Sequence, residues 1–109
     1  MSGDPIKRFV LLILFQAWQD SATELVVTSS AGEGMRIRYR VDRNLYEMSP
    51  PPPQITADVV AEIMRLARFP DGAFPKEGNI DVEFPGVHFK WKIRMTSSDA
   101  DIILTPIRD

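Results

Sequence analysis

Residues 35–45 read Met-Arg-Ile-Arg-Tyr-Arg-Val-Asp-Arg-Asn-Leu. Arg36, Arg38 and Arg40 alternate with Met35, Ile37, Tyr39 and Val41. A period of two is the pattern of a strand with one dry and one wet face. The wet face here is a row of guanidinium groups, the side chain best shaped to grip phosphate or carboxylate. Asp42-Arg43-Asn44 reads as a turn, and Leu45–Met48 as a second short extended piece.

The same alternation recurs towards the C-terminus. Ile80, Val82 and Phe84 alternate with Asp81 and Glu83, and Pro85-Gly86 reads as a turn. Val87, Phe89, Trp91, Ile93 and Met95 then alternate with His88, Lys90, Lys92 and Arg94. Glu24–Thr28 and 101–105 read as further short strands, with Pro106 closing the last. Ser29–Gly34, Thr96–Asp101 and the stretch through Pro70, Gly72 and Pro75 read as connections.

Two segments have helical spacing. In the first, Asp4 suits the N-cap and Pro5 the first helical position of a helix running to about Asp20. Ile6, Phe9, Val10, Ile13 and Ala17 form its dry face. Leu11, Leu14, Phe15 and Trp18 form a second apolar face, either covered within the fold or offered to a partner or a second copy. The other helix is expected from an N-cap at Thr56 to about Arg68, with Val59, Val60, Ile63, Met64 and Ala67 inward and Asp58 in the first turn. Pro50–Pro53 before it reads as a stiff polyproline spacer, in preference to an SH3-type ligand.

The order is α-β-β-α-β-β-β, which predicts an α+β domain with two helices on one face of a mainly antiparallel sheet. The 109 residues are expected to form a single domain, and 44% apolar content is enough for a core. The apolar run 9–15 is too short to cross a bilayer, since a spanning helix needs about 20 residues. Acidic Asp4 and the lack of a small-residue cleavage pattern argue against a secretory signal. With no cysteine, the reading is a cytoplasmic protein without a membrane span.

The net charge of −2 and pI near 5.4 do not suit a general nucleic-acid binder. The wet sheet face, however, is expected to be basic, with Arg36, Arg38, Arg40, Lys90, Lys92 and Arg94 against Asp81 and Glu83. It can be read as a solvated face or as an anion site, with Arg36, Arg38, Arg40 and Arg94 as donors. Tyr39, Phe89 and Trp91 belong to the dry face, so no aromatic is left there to stack on a base. His88 is the only histidine, and a two-histidine metal site within one chain is impossible. It reads as a solvated surface group, and Asp81 and Glu83 as partners of neighbouring cations. There is no G-x-x-x-x-G-K-[ST] or G-x-G-x-x-G motif. No catalytic residue, metal or cofactor is expected.

Ala22–Thr28, Arg36–Arg43, Pro75–Asn79 and Ile93–Ser97, taken in order, resemble segments of the N-terminal, PAS-like domain of the ATPases that power type II secretion and type IV pilus assembly or retraction. They stand where that family shows A-S-D-I-H-x-E, R-x-R-x-R-x-D-G, P-Q-D-G-R and R-V-S-T. The likeness spans about residues 6–108 and does not include the family's ATPase domain. The chain departs from the pattern at Val26, Thr28, Arg43 and Asn79. The resemblance implies a PAS-like, non-enzymatic interaction or regulatory module that docks on a secretion or pilus ATPase or on itself. It also implies that Arg38, Arg40 and Arg94 match arginines that approach the ATPase's nucleotide. The alternative reading is a small-anion or nucleotide sensor using the arginine-rich face.

Overall fold

The computed structural model describes residues 5–30, 34–69, 75–83, 86–96 and 101–108. Helix α1 (Pro5–Gln19) is followed by β1 (Glu24–Ser30), β2 (Gly34–Val41) and β3 (Asn44–Met48). A 3-10 turn at Pro53–Ile55 leads into α2 (Thr56–Ala67), then β4 (Lys76–Glu83), β5 (His88–Met95) and β6 (Ile102–Pro106). The six strands form one sheet in the order β3-β2-β1-β6-β5-β4, antiparallel at every pairing. Two three-strand meanders therefore meet where the first strand pairs with the last. The fold is α+β, and the edges are β3 and β4.

One correction concerns the strand count. The piece after the Asp42-Arg43 turn is a full strand, paired with β2 from Val41↔Asn44 to Ile37↔Met48. The order is helix, three strands, helix, three strands. The turn is opened by Asp42 at φ 54, a left-handed conformation that Asp tolerates.

Register explains the core. Leu25, Tyr39 and Leu104 lie in one cross-strand row; Val27, Ile37 and Ile102 lie in the next. On β5 burial alternates without a break, with Phe89, Trp91, Ile93 and Met95 inside. Both helices cover this face. From α1 come Val10, Ile13, Leu14 and Ala17; from α2 come Val59, Ile63 and Ala67.

The ends of α1 and α2 follow from local chemistry. After α1, Ser21 takes φ 62, the Ala22 N–H donates to the Ala17 carbonyl at 2.9 Å, and the Ser21 N–H donates to Trp18 at 3.1 Å. These paired bonds are a Schellman termination, which satisfies carbonyls the helix leaves open. Thr56 is not the N-cap of α2. The prolines set the entry one turn earlier, the cap position is Ile55, and Thr56 is the first helical residue. Pro51 is buried and Pro53 lies against Gly34, so the proline run is packed onto the fold. Glu62 is buried on α2 and pairs with Arg65. Asp4, Pro70, Gly72, Phe84, Pro85 and most of the 96–101 connection lie outside the described residues.

Candidate interaction surface

Among the described residues no helix packs on the other face of the sheet, and register fixes which side chains share it. The central row reads Glu47–Arg38–Val26–Ile103–Arg94–Glu77 across β3, β2, β1, β6, β5 and β4. Two half-buried apolar residues sit in the middle, an arginine flanks each side, and a glutamate ends each side. A neighbouring row includes Arg40, Glu24, Lys92 and Asn79.

The face is therefore mixed in sign, which corrects the expectation of a basic one. Glu24, Glu47 and Glu77 join Asp81 and Glu83 among the cations. Glu47 enters because β3 is a paired strand, and Glu77 because β4 begins at Lys76, four residues before the expected start at Ile80.

The four candidate anion contacts do not converge. Arg36 donates two bonds to Glu47, from Nε to Oε2 at 3.3 Å and from Nη2 to Oε1 at 3.0 Å. That pairing holds the Arg36 guanidinium above its ordinary pKa and the Glu47 carboxyl below its own. Both are exposed, so the pair adds little stability. Arg38 stands opposite Glu47, and its Nε is buried with no partner among the described residues. Arg40 is exposed between Glu24 and Leu45. Arg94 lies three strands from Arg38, roughly 14 Å at ordinary strand spacing. It lines a shallow hollow of about 270 Å³ with Glu24, Glu77, Lys92, Ile103 and Thr105.

His88 pairs through Nε2 with Asp81 Oδ1, and this contact holds the Asp81 carboxyl below its usual range. Both side chains are exposed. The partner of Asp81 is thus the histidine in place of the expected lysines and arginines, with Lys90 contributing less. Among the described residues no group of three His, Asp or Glu side chains could hold a metal ion, and no helix is long and apolar enough to cross a membrane.

The second apolar face of α1 is largely taken up within the chain. Leu14 is 2% exposed. The Phe15 ring lies 6.5 Å from that of Phe89. Trp18 packs 6.0 Å from Phe89 and edge-on to Trp91 at 5.9 Å. Its outer face is covered by the Arg108 guanidinium at 3.9 Å, which also donates to the Trp18 carbonyl at 2.6 Å. A cation is well placed at a helix C-terminus. Of the four expected interface residues, Leu14 is core, Phe15 and Trp18 pack against it, and Leu11 is half-buried beside exposed Leu12. The physical reason is that β5 brings large aromatics under the helix, so both of its apolar faces find neighbours.

The surface that sequence reasoning missed is edge strand β3. Leu45 is 55% and Tyr46 46% exposed. Tyr46 stacks on Tyr39 at 5.6 Å, and the Tyr39 hydroxyl donates to Asp20 Oδ2 at 2.7 Å. The local signal was two adjacent apolar residues just past a turn; that their strand is an edge is set by the topology of the whole sheet. No family model matches this chain, and no curated protein matches it.

Proposed function

We propose that this protein is a non-enzymatic interaction or regulatory module that docks on another protein through its open sheet and the β3 edge. The observation that carries this reading is an uncharged, exposed apolar pair, Leu45 and Tyr46, on a sheet edge beside a face of alternating charge. Isolated apolar residues on a surface mean little; on an unpaired edge they mark a pairing site. The partner class is the cytoplasmic secretion or pilus ATPase implied by the motif order, or a second copy of this chain. Support for that relationship, and for a PAS-like scaffold, is the ordered motif set together with the helix-strand-helix-strand order.

The test is a calorimetric titration of a purified type II secretion or type IV pilus ATPase with the full chain, alongside the chain's solution mass over a concentration series. Saturable heat that Leu45→Lys abolishes is the expected result. No saturable heat together with a monomer at every concentration would overturn the interaction reading.

A small-anion sensor is the second reading. One observation favours it: the Arg38 Nε, buried and unpartnered among the described residues. Against it, Arg36 is held by Glu47 and Arg94 lies on the far side of Val26 and Ile103. Saturable binding of ATP or inorganic phosphate that is lost in the Arg38→Gln, Arg40→Gln double variant would promote this reading. No binding by the unmodified chain would end it.

A further inference from the structure

We infer that β3 pairs with β3 of a second copy in an antiparallel, two-fold register centred on Tyr46, joining two sheets into one. This rests on the interaction reading above and names its partner.

The Arg40 carbonyl accepts from the Thr23 N–H at 2.8 Å, so the backbone of Arg40 points towards β1. Alternation then turns Tyr39 and Ile37 towards β3, which makes Tyr39–Tyr46 and Ile37–Met48 the hydrogen-bonded pairs. The N–H and C=O groups of Leu45 and Glu47 consequently point outward. Among the described residues nothing covers them.

The two edges of the sheet differ. β4 has Lys76, Glu77, Asp81 and Glu83 along its length, and the end of α2 sits over it at Gly78. Charges and a covering helix are the usual devices that keep an edge from pairing. β3 has neither lysine nor proline, and its one charge, Glu47, is tied to Arg36.

The choice of a second copy follows from complementarity. Antiparallel pairing about Tyr46 sets Leu45 opposite the partner's Glu47 on both sides, so the outward backbone groups satisfy one another. An interface of this kind is self-complementary under a two-fold axis. Tyr46 would meet its own copy at a non-hydrogen-bonded position, where side chains approach most closely, extending the Tyr39–Tyr46 stack. On the open face Arg40, with no ion-pair partner among the described residues, would reach across Leu45 towards the partner's Glu47. Five residues of edge bury less than a standard interface, so association depends on concentration.

The chain has no cysteine, which permits a direct test. In the proposed register the two copies of position 46 lie about 4.5 Å apart at Cα, within disulfide range. Tyr46→Cys is expected to form a covalent dimer under oxidised glutathione much faster than the control Asn79→Cys on β4. Leu45→Pro removes an outward N–H and leaves the β2–β3 ladder intact, so it should abolish the concentration-dependent dimer seen by light scattering. Equal cross-linking of the two cysteine variants would overturn the proposal. So would a dimer that survives Leu45→Pro, or an unmodified chain that stays monomeric at every concentration. The last result, with ATPase binding retained, would leave the edge to a strand from a different protein. If Leu45→Pro fails to fold, the cross-linking rates alone decide.

Discussion

Gly78→Ala should destabilise the protein, although glycine inside a strand is normally a weakness. Gly78 lies on the helix side of β4, opposite Ile93. A Cβ added there would stand 2.7 Å from the Ala67 carbonyl oxygen and 3.2 Å from Phe69 Cδ1. Carbon–oxygen contacts rarely come closer than about 3.3 Å, so something must move by roughly half an ångström. The main obstacle is backbone at the last residue of α2, just before Arg68 reverses the chain at φ 51. It cannot yield as a flexible side chain would. Overpacking of this kind costs about 1–3 kcal/mol. Replacing glycine restricts the unfolded chain and returns about 0.4–1 kcal/mol. The net loss is about 1–2 kcal/mol, or a fall in Tm of roughly 5–10 °C for a domain near this size. Thermal unfolding followed by circular dichroism measures it. Gly86→Ala serves as a control, because it sits at φ 85 with no described residue within 4 Å of an added Cβ and tests backbone strain. A neutral or stabilising Gly78→Ala would refute the claim that α2 lands on β4 and shields that edge.

Other outcomes follow from the same geometry. The bond to Asp20 pushes the Tyr39 pKa up from 10.0 to about 12. Its contribution to stability is therefore complete below pH 10 and lost as pH rises towards 12. The same bond, helped by Gln16, holds the Asp20 carboxyl below 3.8, and that contribution is lost only as pH falls beneath this value. Tyr39→Phe should remove the alkaline dependence, weaken the acid one that Gln16 still supports, and cost about 1–2 kcal/mol at neutral pH, read from urea midpoints across pH. Trp18→Ala should cost about 2–3 kcal/mol, less than a fully buried tryptophan, without weakening self-association. The reverse pattern would return the second face of α1 to the surface. Ser21→Gly should raise stability by about 0.5–1 kcal/mol, because glycine suits the left-handed position after α1.

Much of this fold was legible because periodicity reports which side of an element is dry. The arginine strand and β5 follow their period-two patterns residue by residue. The N-terminal half of β4 was hidden behind Pro75, which read as part of a loop with Pro70 and Gly72. Gly78 is there for the close approach of α2. Glu62 was not expected in the α2 stripe; it is buried there and pairs with Arg65. For the candidate surface, alternation identified the cations on the open face with Asp81 and Glu83, but not their other acidic neighbours. Register brought Glu24, Glu47 and Glu77 among them, and register is a long-range property. Edge status is equally non-local. Nothing in Asn44–Met48 itself says that no strand lies beyond it. The covering of Trp18 by Arg108 joins residues from opposite ends of the chain.

The most direct measurement is amide hydrogen exchange at Leu45, Tyr46 and Glu47 at low and high protein concentration. The Tyr46 amide is bonded within the chain and should be protected equally at both. The Leu45 and Glu47 amides point outward and should exchange freely when dilute and slow markedly when concentrated. Free exchange at Leu45 and Glu47 at every concentration would contradict pairing between copies at this edge.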